Sequence, residues 1–289
     1  MGNKKPLFTL ALKLALSLLA LSYVLGHVDL RELGRLLARS SPLWLLTALL
    51  LFNLSKIVSS LRLNRFFKTL GINLTESDAL RLYYIGMFYN LFLPGGIGGD
   101  GYKIYLLKTH RQGELKGLLA ATLLDRLSGL APLLFFAGIL FLLSTYPRNF
   151  PRLVPLDWLG LALVFPLLWG LYRFLFPRFR SVFFPTTFLG ILTQLFQLAA
   201  AWAIARALGL EEHLVEVLTL FLLSSVAAVL PISVGGVGIR EFVFLTGFGL
   251  LGLSPDPGVA FSLLFFLITA LSSLTGLFLK HRLEEEAAR

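Results

Sequence analysis

Six ionisable residues stand inside strongly apolar stretches: Asp100, Lys103, Asp125, Arg126, Arg240 and Glu241. A charge at membrane depth is costly unless it is paired or faces a cavity, so such residues mark either a pathway or an internal network. Lys103, Arg126 and Arg240 are the types that hold a phosphate, while Asp100, Asp125 and Glu241 suit a cationic or hydroxylated headgroup or balance charge. Asp125 and Arg126 are adjacent, so on a helix they point in different directions and each needs another partner. The four charges Asp125, Arg126, Arg240 and Glu241 fit a structural salt-bridge network as well as a polar pathway. Nothing here resembles a Ser-His-Asp triad, and no nucleophile accompanies the acids, so no residue is assigned as catalytic. Lys56, with Asn53 and Ser55 close by, is a weaker candidate, because a lysine in a span can snorkel to the interface.

Four of the six charges lie in or beside a repeated motif. Leu93–Lys103 reads LPGGIGGDGYK, and Leu230–Arg240 reads LPISVGGVGIR. Placing Pro94 on Pro231 aligns Gly98 with Gly235, Gly99 with Gly236, Gly101 with Gly238 and Lys103 with Arg240, without a gap. Such a match between two halves of a chain is the mark of an internal repeat. Gly96–Gly101 also satisfies the dinucleotide pattern G-x-G-x-x-G, but no strand-turn-helix unit surrounds it and no ribose-binding acid follows, so no nucleotide is expected. The glycines instead permit tight reversal and close helix approach. A helix is predicted to begin after each cluster, with Lys103 and Arg240 in its first turn and free N–H groups that suit an anion such as a lipid phosphate.

The elements around these motifs are apolar. The chain has 289 residues, 56% of them hydrophobic and 15% charged, with mean hydropathy +0.80. Soluble domains carry about 25% charged residues, so a membrane protein is expected. Cysteine is absent, and His27, His110, His213 and His281 are far apart, which removes disulfides, thiolate chemistry and any metal-ligand spacing. Six membrane helices are predicted, near 7–25, 43–61, 115–143, 158–176, 188–208 and 258–279, with an amphipathic interfacial helix at 27–41. The half-length segments 80–93 with 102–107, and 217–230 with 239–251, read as two re-entrant helical hairpins around the Pro/Gly breaks. The fold class is therefore an all-α integral membrane protein, a single polytopic domain over 1–289. Repeat 1 covers about 43–143 and repeat 2 about 186–280, with helices 7–25 and 158–176 outside them. Arg62, Arg65 and Lys68 read as a cytoplasmic exit cluster. With both termini cytoplasmic, lysines and arginines concentrate on the inner side, which accounts for the net charge of +10 without nucleic acid. The two repeats then have opposite orientation, and their hairpins meet near the midplane.

Gly86–Leu107 (GMFYNLFLPGGIGGDGYKIYLL), the Asp125-Arg126 pair and Leu230–Phe242 (LPISVGGVGIREF) resemble the flippase-like membrane domain of the lysylphosphatidylglycerol synthases, over roughly residues 8–280. That domain also occurs as a stand-alone membrane protein. The resemblance implies movement of a lipid or lipid-linked sugar between leaflets, and no bound metal, nucleotide or other cofactor. In the synthases a separate soluble domain makes the aminoacylated lipid. The chain ends at Arg289 without room for one, so the synthase reaction, and enzyme activity generally, is not expected. Expected partners are membrane lipids, a lipid-linked substrate and a second copy in a homodimer, in the plasma membrane. Two other functions fit the same plan: ion-coupled transport of a small solute, and less well a membrane-embedded lipid-carrier transferase.

Overall fold

A computed structural model describes residues 22–23, 26–92, 98–111, 113–229, 236 and 238–279. Most of the described residues are helical, with no strand among them. The first full helix among them is α1, Leu30–Arg39. Asp29 caps it by accepting from the N–H groups of Arg31 and Glu32, and its own N–H donates to Asp256, tying α1 to the start of the last helix. Exposed Leu30 and buried Leu33 on this short, arginine-rich helix agree with the amphipathic segment expected at 27–41.

The long helices are α2, Pro42–Thr69; α5, Leu115–Leu143; α6, Val154–Gly170; α7, Phe183–Ala207; and α10, Asp256–Phe278. Turns of π and 3-10 helix around α6 and α7 lengthen those two stretches to Pro151–Leu175 and Pro177–Ala207, so that five helical stretches among the described residues are long and apolar enough to cross a membrane. They correspond to five of the six expected spans; the sixth, near 7–25, lies outside the described residues. Between them lie two helix pairs, α3, Glu76–Phe92, with α4, Gly98–Arg111, and α8, Leu214–Val229, with α9, Ile239–Leu250. Within each pair the two helices pack against each other.

The packing is reciprocal. α3 of the first pair lies against α10, and α8 of the second lies against α5, while α2 and α7 run along each other. Exchanging α2, α3, α4 and α5 for α7, α8, α9 and α10 returns the same set of neighbours. Where backbones touch, glycine is required: a Cβ on Gly99 would strike the Gly86 carbonyl, one on Gly276 the Tyr84 carbonyl, and one on Gly190 the Ser128 carbonyl.

Two large hydrophobic clusters fill most of the interior, one around Phe52, Phe221, Phe244 and Phe261 and one around Phe66, Leu82, Leu106 and Tyr172, and a small third joins Leu33 to Val259 and Ala260. Between the two large clusters the helices turn polar. On α2, from Phe52 to Leu63, the buried set includes Ser55, Ser59, Ser60 and Arg62; on α7, from Phe183 to Ala200, it includes Thr186, Thr193 and Gln194. Ser59 and Thr193 hydroxyls meet at 3.3 Å across these helices. Tyr84 donates to Asn53, which donates to Ser272, joining α3, α2 and α10. At one end of α2, Lys68 reaches Glu76 at 2.5 Å. Burial raises the Glu76 carboxyl, but hydrogen bonds from Lys68 and Asn64 more than offset it and hold the group below its ordinary value.

Candidate functional site

The charged residues collect in this polar waist, and the structure divides them. α4 begins at Gly98, earlier than the start predicted at Tyr102. Asp100 is therefore in its first turn and Lys103 in its second, not its first. Asp100 accepts from Lys103 at 3.1 Å and from Arg126 at 2.6 Å, so one carboxylate bridges two cations. Lys103 is 4% exposed and also lies over the Tyr83 ring. A Cβ on Gly86 would strike its side chain, so that glycine makes room for the ammonium.

Asp125 takes a partner that the sequence did not supply. Its carboxylate accepts from Arg62 Nε at 2.8 Å. α2 continues without a break to Thr69, so Arg62, expected in a cytoplasmic exit cluster with Arg65 and Lys68, is instead buried inside the bundle. Gly129 on α5 leaves space for its guanidinium, whose Nη1 has no hydrogen-bond partner. The adjacent Asp125 and Arg126 thus tie α5 to two elements, α2 and α4. No motif spacing points to Arg62; the available signal was its place on the same apolar helix as Lys56.

The second motif is built differently. Gly236 and Gly238 have φ of +83° and +84°, a region glycine enters freely. Their aligned partners Gly99 and Gly101 are helical. Glu241, 1% exposed, accepts from the Gly238 N–H at 2.7 Å and from the Ser262 hydroxyl at 2.8 Å, so it closes the N-terminus of α9. On the other pair, Asn90 accepts from the Gly99 N–H at 2.8 Å. The chain's own side chains thus occupy part of both helix N-termini that the sequence offered to an anion. Gly98 lies in the first turn of α4, and Pro94, Pro231 and Gly235 lie outside the described residues.

Arg240 is in the first turn of α9, as predicted. It donates to the Ser225 hydroxyl at 3.1 Å and lies 5.1 Å from the centre of the Phe265 ring. It makes no ion pair with Glu241 or with any other described carboxylate. Asp125, Arg126, Arg240 and Glu241 therefore do not form one salt-bridge network. Lys56 stands 4.3 Å over the Phe52 ring, and Phe52 meets Phe265 edge to face at 5.7 Å. The two cations thus flank one aromatic pair, where the ring faces offset part of their charge. Lys56 feels the charges of Arg240 and Arg62 and has no carboxylate partner among the described residues. Each end of α2 is about 20 Å away along the axis, beyond the reach of a snorkelling lysine. In the waist, Lys56, Arg62, Lys103, Arg126 and Arg240 face Asp100, Asp125 and Glu241, which leaves positive charge in excess.

No group of described His, Asp or Glu residues is arranged to hold a metal ion. The Lysylphosphatidylglycerol synthase TM region family matches residues 10–276. A UPF0104 membrane protein of Pyrococcus horikoshii is 28% identical over 110 residues, a stretch that spans 37% of this chain and 33% of that relative. With five apolar stretches of spanning length, the match describes a multi-pass membrane protein. The chain belongs to the family of the lysylphosphatidylglycerol synthase transmembrane region.

Proposed function

We propose that the protein moves an anionic, polar-headed lipid between membrane leaflets, with the polar waist as the headgroup path. The lipid is a phospholipid, an aminoacylated phospholipid or a polyprenyl-phosphate-linked sugar. The reading rests on one observation: Lys56 and Arg240 are cations at mid-helix and at a buried helix start without a carboxylate partner among the described residues. Such a cation is costly in a bilayer, and a phosphate passing the waist would offset it. Asp100, Asp125 and Glu241 are engaged by the protein's own donors. Asp100 with Lys103 and Arg126, and Asp125 with Arg62, hold the helices around the path. In this reading the two helix pairs are re-entrant hairpins from opposite faces, both termini are cytoplasmic, and the protein binds lipids rather than nucleic acid and catalyses no covalent step.

The test uses purified full-length protein in phosphatidylcholine vesicles containing fluorescently labelled phosphatidylglycerol or a labelled polyprenyl-phosphate sugar. Dithionite quenches label in the outer leaflet. The protein should make inner-leaflet label accessible, and Lys56→Met or Arg240→Met should lower that rate about tenfold or more, the scale of a charge-assisted hydrogen bond. If every labelled anionic lipid stays in its leaflet, with or without an ion gradient, the reading fails. Uptake of a water-soluble solute under a gradient would replace it with solute transport.

A further inference from the structure

A second site lies away from the charged waist. α5 and α6 on one side, and α8 and α9 on the other, border an open cavity of about 830 Å³ whose wall is almost wholly apolar. That volume is in the range that takes one small ligand. The turn from α5 to α6 lies at one end, where Tyr146, Phe150 and Leu153 line the cavity, and the Tyr146 hydroxyl donates to the Gly247 carbonyl on α9. One carboxyl interrupts the apolar wall. Asp157, in the first turn of α6, lines the cavity, and its Oδ2 is buried without a hydrogen-bond partner. Gly138 on α5 faces it: a Cβ there would come within 2.8 Å of Asp157 Oδ1. The fold thus leaves space for a carboxyl that nothing in the described protein satisfies, although a buried polar atom without a partner is costly. Arg148 and Arg152, both exposed, sit on the turn at the cavity's end. Arg152 precedes Asp157 by about 8 Å along the helix axis.

Along the chain the exposed cations come first, then the carboxyl, then the apolar wall of α6. A ligand that matches this order carries an anion, next a hydrogen-bond donor, then one chain. We propose that this groove binds a lysophospholipid, its phosphate beside Arg148 and Arg152, its free glycerol hydroxyl donating to the Asp157 carboxyl, and its acyl chain in the cavity. A diacyl phospholipid has no such donor, because both glycerol oxygens between phosphate and chains are esterified. The site is independent of the translocation reading, since none of its residues belongs to the waist.

Native mass spectrometry of the full chain in mild detergent tests it. The probes are 1-palmitoyl lysophosphatidylglycerol, dipalmitoyl phosphatidylglycerol and hexadecylamine. The unaltered protein should retain the lysophospholipid in preference to the other two. Asp157→Leu should lower that retention about tenfold, Asp157→Asn by less because its carbonyl still accepts, and neither should change the diacyl lipid. Thr246→Phe, which fills the cavity from an exposed wall position, should lower it too and serves if Asp157→Leu does not fold. Equal retention of lyso and diacyl lipid, unchanged in these variants, overturns the proposal. Tighter retention of hexadecylamine, lost in Asp157→Asn, also overturns it, by making the site one for a cationic amphiphile.

Discussion

Arg62 and Lys56 lie on the same helix less than two turns apart, yet their expected behaviours are opposite. Arg62 is paired with Asp125, so Arg62→Met leaves a carboxylate inside the bundle without its cation. Breaking a buried pair from one side costs about 3–5 kcal/mol, and removing both partners restores much of it. Arg62→Met should therefore lower the melting midpoint in detergent sharply, and Arg62→Met with Asp125→Leu should recover most of the loss. A double variant as unstable as the single would show that Arg62 packs rather than neutralises. Lys56 has no carboxylate to abandon among the described residues. Lys56→Met should leave the midpoint unchanged or raise it, while lipid movement falls. A large drop in its midpoint would make Lys56 structural and remove it from the path. The six charges expected within the bundle stood out in the sequence because charges in apolar stretches are rare. Arg62 was not, since its partner is far away in sequence and an arginine near a span's end looks like an inner-side marker. Lys56 was readable only as a weaker candidate, because its distance from the interface depends on how far α2 continues.

At the scale of the element, the repeat misleads in one respect. The alignment treats Gly101 and Gly238 as equivalents, but the helices after the two breaks start at different places. Gly101 lies inside α4 with nothing within 4 Å of where a Cβ would stand, whereas Gly238 has a φ of +84°. Gly101→Ala should then be neutral or stabilising by up to about 1 kcal/mol, the helix preference of alanine over glycine. Gly238→Ala should be destabilising by about 1 kcal/mol or more from left-handed backbone strain. Gly99→Ala should cost about 1–3 kcal/mol for a different reason, because its methyl meets the Gly86 backbone. Melting midpoints of the three variants check this ranking, and equal losses at Gly101 and Gly238 would refute it. Long spans and the Pro/Gly breaks were readable from hydropathy. The start of α4 was not: glycines in a helical first turn and glycines in a left-handed turn have the same letters, and Asn90 and Asp100 decide between them by where their side chains reach.

For the whole molecule, the reciprocal packing of the two halves makes a claim about membrane sides. α3 and α4 have 17 and 14 residues, and α8 and α9 have 16 and 12. At 1.5 Å per residue these helices reach about 18–26 Å, short of the ~30 Å hydrocarbon core, so each pair fits a hairpin that enters and leaves on one face. Two such hairpins from opposite faces place Arg65, Asp78 and Lys108 on one side of the membrane and Arg148, Glu212 and Ser254 on the other. All six are at or near helix ends. The chain has no cysteine, so a single cysteine introduced at each position gives an unambiguous signal. A membrane-impermeant maleimide applied to intact cells should label the second group, and the first only after the membrane is opened. Arg65→Cys and Lys108→Cys bracket the first pair, so labelling from different sides would mean that one of its helices crosses alone. The halves would then lose their inverted relation, and with it the argument that the waist between Lys56 and Arg240 is reached from both leaflets.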